Sequence, residues 1–410
     1  MTKDVLSQDP VLIGDLDARD HTRLRVLQCI RAAGEISRTD IAKALISSPA
    51  TVTSACGALL DAGLIAETAA PPSEGVQRGR PRVMLTVNGA VFAVAGVKIA
   101  RDAIRLMVVG FQGQEIGTHV WPLLESRMDP EALVIEVRRA LDAACAALDL
   151  PIERIAGLTI GLPGFLNADE NFLHWSSSVT QGNVDLGPLI AAHIPCPTFI
   201  DNDANLVAKA EHLFGAGRGF HNFLVVTLEH GVGMGIILND QLYRGERGCG
   251  AEFGHMKIQF EGALCQCGQR GCLEAYVGDY ALIRDSGTVR GQSEIETIAD
   301  IIAAARSGDT LAQEVLDRAS RVLGVALANL VNLFDPEHIV VARSRPKFDQ
   351  RYVDTMMATL RRNTVEVDAP LPGITVRNLD EMMWAKGAAA HAIERVSILK
   401  VRGLGVADAV

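Results

Sequence analysis

Between His21 and about Thr68 the apolar residues recur three times at helical spacing. Leu24, Leu27 and Ile30 form one stripe ahead of Gly34, and Ile41, Ala44 and Leu45 form a second behind Ser37. Val52, Cys56, Leu59 and Leu60 form a third, after a turn at Ile46-Ser47-Ser48. Ser37, with Asp40 three residues on, has the spacing of a helix start. The opposite face of the third helix carries Thr51, Thr53 and Ser54, short polar groups able to approach phosphates or base edges. From Val91 the period changes. Apolar runs at Val91 to Val97, Ile104 to Gly110, Ile155 to Gly161 and Phe223 to Leu228 predict strands. They alternate with helices over about Pro130 to Leu148 (Leu133, Val137, Leu141, Ala144, Leu148) and Leu311 to Phe334 (Val315, Ala319, Val322, Ala326, Leu330). Strands alternating with helices predict an α/β architecture. A stretch of this length exceeds what one core usually carries, so two lobes with a cleft are expected.

Three short helices with a tight second turn fit the helix-turn-helix plan, whose third helix enters the major groove. A plain three-helix capping unit has the same periodicity. Gly63-Leu64-Ile65 reads as a wing strand. A Pro/Ser/Gly-rich connection follows, then Arg78-Gly79-Arg80-Pro81-Arg82. Arginines flanking a glycine suit the narrow minor groove of A/T-rich DNA, whereas a solvated basic linker is the bland reading. Its place directly behind the three helices favours DNA. The expected contacts are Ser48, Thr51, Thr53, Ser54, Arg78, Gly79 and Arg80. The net charge of −10 over 410 residues excludes whole-surface nucleic-acid binding, so any DNA contact must be local. Hydrophobic content of 48% and a charged fraction of 21% describe a soluble globular chain. No apolar run reaches the roughly 18 residues of a membrane span, and Met1 to Pro10 lacks the apolar stretch of a secretion signal. A cytoplasmic protein without a membrane partner is expected.

The densest chemistry lies between Glu252 and Glu274. His255, Cys265, Cys267 and Cys272 form an H-x9-C-x-C-x4-C array, with Gly268 and Gly271 interleaved. Three thiolates and an imidazole are a tetrahedral set for Zn2+, and a set with no open position is structural rather than catalytic. Chance clustering and disulfides compete with this reading. A C-x-C spacing is too short to bridge comfortably, and no signal sends the chain to an oxidising compartment.

This array, with Asn202-Asp203-Ala204-Asn205 and Gly161-Leu162-Pro163-Gly164, resembles the ROK family of repressors, open reading frames and sugar kinases. The likeness covers Val91 to about Arg395. The N-terminal helices and the R-G-R-P run further resemble its repressor branch, whose members answer to glucose, N-acetylglucosamine or xylose. The resemblance implies a winged helix-turn-helix followed by a two-lobed, actin-like sugar-kinase-type domain with a structural zinc loop. It also implies a sugar or sugar-derivative inducer in the interlobe cleft, operator DNA as partner, and homodimers or homotetramers. The implied domains are 1–88 for DNA binding, 89–200 with a C-terminal helix at 384–398 for the first lobe, and 201–383 for the second. Carried over by position, the sugar contacts fall on Gly164, Asn202, Asp203, Glu252, His255 and Glu274. Carboxylates and amides suit sugar hydroxyls. His255 can offer one ring nitrogen to zinc and the other to a sugar hydroxyl. Glu252 and Glu274 are otherwise plain surface carboxylates, and Asp203 also suits the cap of the helix that follows it. Phe165, Asn167, Trp175 and Ser176 follow the G-L-P-G turn, and Trp175 suits sugar stacking and core packing equally.

In the family's kinases the residue matching Asp203 is the general base; here it is expected to bind sugar only. Phosphoryl transfer depends on holding and neutralising phosphates. The stretch matching the family's D-x-G-G-T loop is Lys98-Ile99-Ala100-Arg101-Asp102, and that matching G-T-G-x-G is Glu229-His230-Gly231-Val232-Gly233. The glycine pair after the D-P-E segment is Ala342-Arg343. Three elements have lost glycines or gained charge, which predicts a sensor without catalytic residues. The rivals are an active ATP-dependent sugar kinase fused to a DNA-binding domain and a ligand-independent DNA-binding dimer.

Overall fold

Each of the first three helices begins on a side chain that satisfies its open amides. Asp17 accepts from Arg19 and Asp20 at the start of α1 (Ala18–Ala33), and Ser37 accepts from Asp40 at the start of α2 (Arg38–Ala44). Ser48 accepts from Thr51 at the start of α3 (Pro49–Asp61), where Pro49 supplies a preset φ. Leu24, Leu27, Ile30, Ile41, Val52, Cys56 and Leu59 are buried together. The short strand β1 (Ile36–Ser37) pairs with β3 (Val83–Val87), which pairs in turn with β2 (Ile65–Ala69) as an antiparallel wing. The wing starts at Ile65, because Gly63 and Leu64 close the turn out of α3 through Leu64 N–H to Leu59 C=O.

The computed structural model describes residues 16–69, 83–167, 171–290, 297–343, 350–365, 368, 370–378 and 380–407. These divide into two compact units, 1–202 with 385–410, and 203–384.

In the first unit, β4 (Ala93–Ile99), β5 (Ala103–Gly110) and β6 (Glu115–Pro122) form an antiparallel meander. Strands β7 (Ile155–Leu162) and β11 (Thr198–Asn202) extend it in parallel, giving the order β11-β7-β4-β5-β6. The inner strands are buried on both faces and mostly apolar, with Lys98 and Arg105 as exceptions, whereas β6 at the edge is half-exposed throughout. Helix α4 (Pro130–Ala147) buries Leu133, Val137, Leu141 and Ala144 against the sheet. The long helix α12 (Met383–Ala407) lies across β4 so closely that a Cβ at Gly96 would collide with the Ala385 carbonyl. A small sheet of β8 (Gly164–Asn167), β9 (Phe172–Ser176) and β10 (Val184–Asp185), followed by α5 (Gly187–His193), precedes β11.

The second unit repeats the sheet plan. Strands β12 (Phe223–Leu228), β13 (Val232–Leu238) and β14 (Gln241–Tyr243) are antiparallel, and β15 (His338–Arg343) and β16 (Gly373–Asn378) add in parallel. Helix α6 (Asp203–Phe214) opens the unit. Helices α7 (Glu274–Val277), α8 (Asp279–Arg290) and α9 (Ile298–Arg306) lead to α10 (Thr310–Phe334) and then α11 (Gln350–Asn363). Val315, Ala319, Ala326 and Leu330 of α10 join Leu224, Val226, Ile339 and Val341 in one core.

Candidate metal and ligand site and DNA-facing helix

The loop from β14 to α7 is shaped by its own backbone. Cys265 N–H bonds Gln269 C=O at 2.8 Å, Gly268 N–H bonds Cys265 C=O at 3.0 Å, and Gly271 N–H bonds Ala263 C=O at 2.9 Å. Gly271 has φ +78°, and a Cβ there would collide with the Gln259 carbonyl oxygen. This folding brings His255, Cys265, Cys267 and Cys272 together, with one donor atom from each within 4.8 Å of the others. The Cys267 and Cys272 sulfurs are 3.8 Å apart, and Cys265 Sγ is 3.7 Å from His255 Nδ1. A tetrahedral ion with metal–sulfur bonds of about 2.3 Å separates two sulfurs by about 3.8 Å. The same spacing is far beyond the disulfide S–S length of about 2.05 Å. The four residues therefore fit a four-coordinate metal. Burial lowers the His255 pKa, favouring the neutral imidazole that ligates, and pushes the Cys265 thiol up to about 12. A thiolate there requires a cation to stabilise it. With Nδ1 facing the sulfurs, Nε2 is the other ring nitrogen of His255.

Acidic residues adjoin this cluster within the second unit. Glu252 precedes the single turn Phe253–His255, and Asp203 is the first residue of α6. Burial pushes the Glu252 pKa up to about 8, and the negative charges of Asp203 and Glu274 add to the effect. Glu274 begins α7 and is buried rather than lying at the surface. Its Oε2 accepts from Val232 N–H at 3.2 Å, while Cys265 Sγ at 3.5 Å and the Tyr280 hydroxyl at 3.4 Å both reach Oε1. Asp203 and Glu274 thus lie near enough to Glu252 for their charges to act on it, and Glu274 adjoins the Cys265 thiol of the His/Cys cluster. In the first unit, Asn202 ends β11 and its Nδ2 donates to the Gly164 carbonyl, at the start of β8, at 2.9 Å. Phe165 and Trp175 face each other across β8 and β9 with ring centroids 5.5 Å apart.

The positions that the resemblance assigns to nucleotide are occupied by charge. Lys98 is buried in β4, and Asp102 in the following hairpin pairs with Arg105 at 3.2 Å. Glu229 closes a tight turn through its own N–H to Gly231 C=O at 2.9 Å. Arg343, at the end of β15, is buried and paired with Asp279 at 2.7 Å.

In the N-terminal segment, Ser48, Thr51, Thr53 and Ser54 are all exposed on or beside α3. Ser48 is committed locally as the helix cap, 2.8 Å from the Thr51 hydroxyl, and the Thr53 hydroxyl donates to Pro49 C=O at 2.7 Å. Arg78, Gly79 and Arg80 lie outside the described residues.

Sequence reasoning passed over two residues that touch the cluster. Lys257 donates to Cys272 Sγ and the Tyr280 hydroxyl to Cys265 Sγ. Lys257 lies two residues after a ligand in a strand-like stretch, a signal available in the sequence. Tyr280 was not accessible without knowing the turn of α7 into α8.

The ROK family model matches residues 94–395, and a winged helix-turn-helix DNA-binding model matches residues 19–66. The chain belongs to the ROK family. It is 26% identical over 353 residues to a xylose repressor of Caldicellulosiruptor bescii, covering 83% of this chain and 88% of that protein. Among solved structures, it is similar to a ROK family transcriptional regulator described as a homologue of the Escherichia coli MLC protein. The TM-score is 0.80 at 28% identity, covering 94% and 99% of the two chains. It is also similar to a ROK family glucokinase from Streptomyces griseus in complex with glucose and AMPPNP, with a TM-score of 0.61 and 27% identity. That likeness covers 73% of this chain and 99% of the other. The fold is thus a winged helix-turn-helix joined to the actin-like, kinase-type domain of this family. Among the described residues, no helix is long and apolar enough to cross a membrane.

Proposed function

We propose that this chain is a sugar-responsive transcriptional repressor that binds operator DNA through α3 and the wing and has no kinase activity. The observation that favours a sensor over a kinase is the Arg343–Asp279 ion pair, with Arg343 buried and Asp279 half-buried, where a kinase of this family keeps glycines beside adenosine. A guanidinium and its carboxylate partner stand there in place of glycines whose bare backbone a nucleotide could approach closely. Glu229 and Asp102 add negative charge where phosphates would have to be neutralised.

The proposed effector is a small sugar or sugar derivative. Its hydroxyls are taken by Asp203, Glu252, Glu274 and Nε2 of His255, with Asn202, next to Asp203 in the chain, and Gly164 as further contact positions. Glu252, largely protonated near neutral pH, donates as well as accepts, which suits a ligand bearing both hydroxyls and acceptor oxygens. The proposed metal is structural Zn2+ on His255, Cys265, Cys267 and Cys272; when bound it fixes the loop carrying His255 and Glu274. Homodimers or homotetramers acting in the cytoplasm complete the reading.

The proposed route from effector to DNA runs through covalent and packed contacts of the first unit. Asp203 continues directly from β11. In β11, Phe199 contacts His391 edge-on and lies under the Arg395 guanidinium, both on α12. On the same helix, Ser397 accepts from Arg31 of α1 at 3.3 Å. An effector that prefers one position of β11 over another would therefore bias how α1 and α3 are presented, by its differential affinity for the two states. The test is calorimetric titration with a panel of hexoses, pentoses and amino sugars, alongside an ADP assay with MgATP. Binding of a sugar without ADP production supports the reading; sugar-dependent ADP production overturns it.

A further inference from the structure

Lys257 stands directly across an antiparallel backbone bridge from Cys272. The register is fixed on both sides, by Ile258 N–H to Gly271 C=O at 2.8 Å and Leu273 N–H to Met256 C=O at 2.9 Å. Held in this register, the lysine turns back onto its cross-strand partner. Its Nζ donates to Cys272 Sγ at 3.0 Å and to Gln269 Oε1 at 2.6 Å.

Charge gives this contact its meaning. A divalent ion on three thiolates and one neutral imidazole carries a net charge of minus one. Cys265 and Cys272 are buried, so that excess is poorly screened by water. Glu274, also buried, adds a further negative charge beside Cys265. The thiolates repel one another and the carboxylate, and an ammonium 3.0 Å from one sulfur offsets that repulsion. The second bond, to Gln269, holds Nζ in place, since Gln269 is itself fixed by its carbonyl bond to Cys265 N–H.

We propose that Lys257 is a positioning cation of the metal centre, neutralising its excess thiolate charge through Cys272 and tuning how tightly the loop holds zinc. The inference rests on the zinc reading above. A surface lysine whose contacts merely follow from strand register would leave metal binding unchanged when replaced. Groups that orient or hydrogen-bond metal ligands typically change metal affinity by about 10–100-fold when removed.

The test uses the full chain as wild type, Lys257→Met, Lys257→Gln and Lys257→Arg. Zinc affinity is read by competition with a chromophoric chelator, the ligand field by the thiolate-to-cobalt charge-transfer band after Co2+ substitution, and folding by circular dichroism. The expected result is a folded Lys257→Met protein whose zinc affinity falls by about 10–100-fold. Its charge-transfer band should shift, while Lys257→Arg stays near wild type. The glutamine variant, which keeps polarity without charge, should behave like methionine. Wild-type affinity and an unchanged band in both neutral variants overturn the proposal. A wild-type protein that binds neither Zn2+ nor Co2+ overturns the zinc reading itself, which is a separate outcome.

Discussion

Arg343 and Asp279 form an ion pair at 2.7 Å that ties the end of β15 to the start of α8. Burial pushes the Asp279 pKa up to about 6, against the pull of Arg343 and with the push of Glu229, so the pair is charged at neutral pH. Removing one partner of a fully buried pair costs about 3–5 kcal/mol, and the loss here is smaller because Asp279 is only half-buried. Arg343→Ala is therefore expected to lower the thermal midpoint at pH 7 clearly, and Arg343→Ala/Asp279→Asn to recover part of the loss. Neither variant is expected to produce ADP with sugar and MgATP, because Glu229 and Asp102 remain. Equal midpoints for wild type and Arg343→Ala would show that the pair contributes nothing.

Glu252 sets a pH dependence whose sign follows from its environment. Its pKa rises from an ordinary 4.5 in the unfolded chain to about 8 in the fold, chiefly by burial. The unfolded chain thus releases this proton before the native state does. The group favours folding most below about pH 4.5, and that advantage is lost as pH rises towards 8. Glu252→Gln should be more stable than wild type at pH 8 to 9, by an amount on the order of a few kcal/mol at most, and not at pH 4.5. Urea unfolding of both proteins across this range checks it. A constant difference between the two at every pH would contradict the assignment.

On α3, Thr51, Thr53 and Ser54 are exposed. A carboxylate at Thr53 would put negative charge on the exposed face of α3 that is proposed to meet DNA. Thr53→Glu is expected to weaken binding of the chain's own upstream DNA by about 1–3 kcal/mol. Its melting temperature and zinc content should match wild type. Retained DNA affinity, measured by fluorescence anisotropy at fixed salt, would remove α3 from the interface.

Arg31 links α1 to the body of the first unit. It donates to Phe111 C=O and Ser397 Oγ, both at 3.3 Å, and its guanidinium lies 4.7 Å from the Phe111 ring centroid. Burial lowers its pKa to about 10, with Glu394 opposing, and it remains a cation at neutral pH. Arg31→Met keeps the bulk and removes the bonds. The expected result is unchanged sugar affinity with a diminished effect of sugar on DNA binding. Full retention of the sugar effect would take Arg31 out of the route.

The helix-turn-helix was legible because its signals are local. Ser37 and Asp40 cap α2, and the stripes of α1 and α3 are buried, apart from Leu60, which is half-buried because the α3 stripe turns away by its last position. Leu148, just beyond the end of α4, and Val322, in the middle of α10, are also half-buried. The strands were legible from their apolar runs, but β4 starts at Ala93, two residues after the run at Val91 begins. The clustering of His255 with the three cysteines was legible as spacing. What the sequence hid was long-range pairing. Arg31 with Ser397, Arg343 with Asp279 and Glu274 with Val232 join residues 366, 64 and 42 positions apart. Glu274 could not be read as buried, because a carboxylate is buried only when distant amides and hydroxyls meet it.

The most direct test of a sugar-gated DNA-binding protein is the affinity of the zinc-loaded chain for its own upstream DNA, with and without each sugar, in the absence of nucleotide. The account predicts that one sugar lowers that affinity by about 5–150-fold, the usual range of coupling between two sites. It also predicts that DNA lowers the affinity for that sugar by the same factor. DNA binding that no sugar alters, or that changes only when MgATP is added, would contradict it.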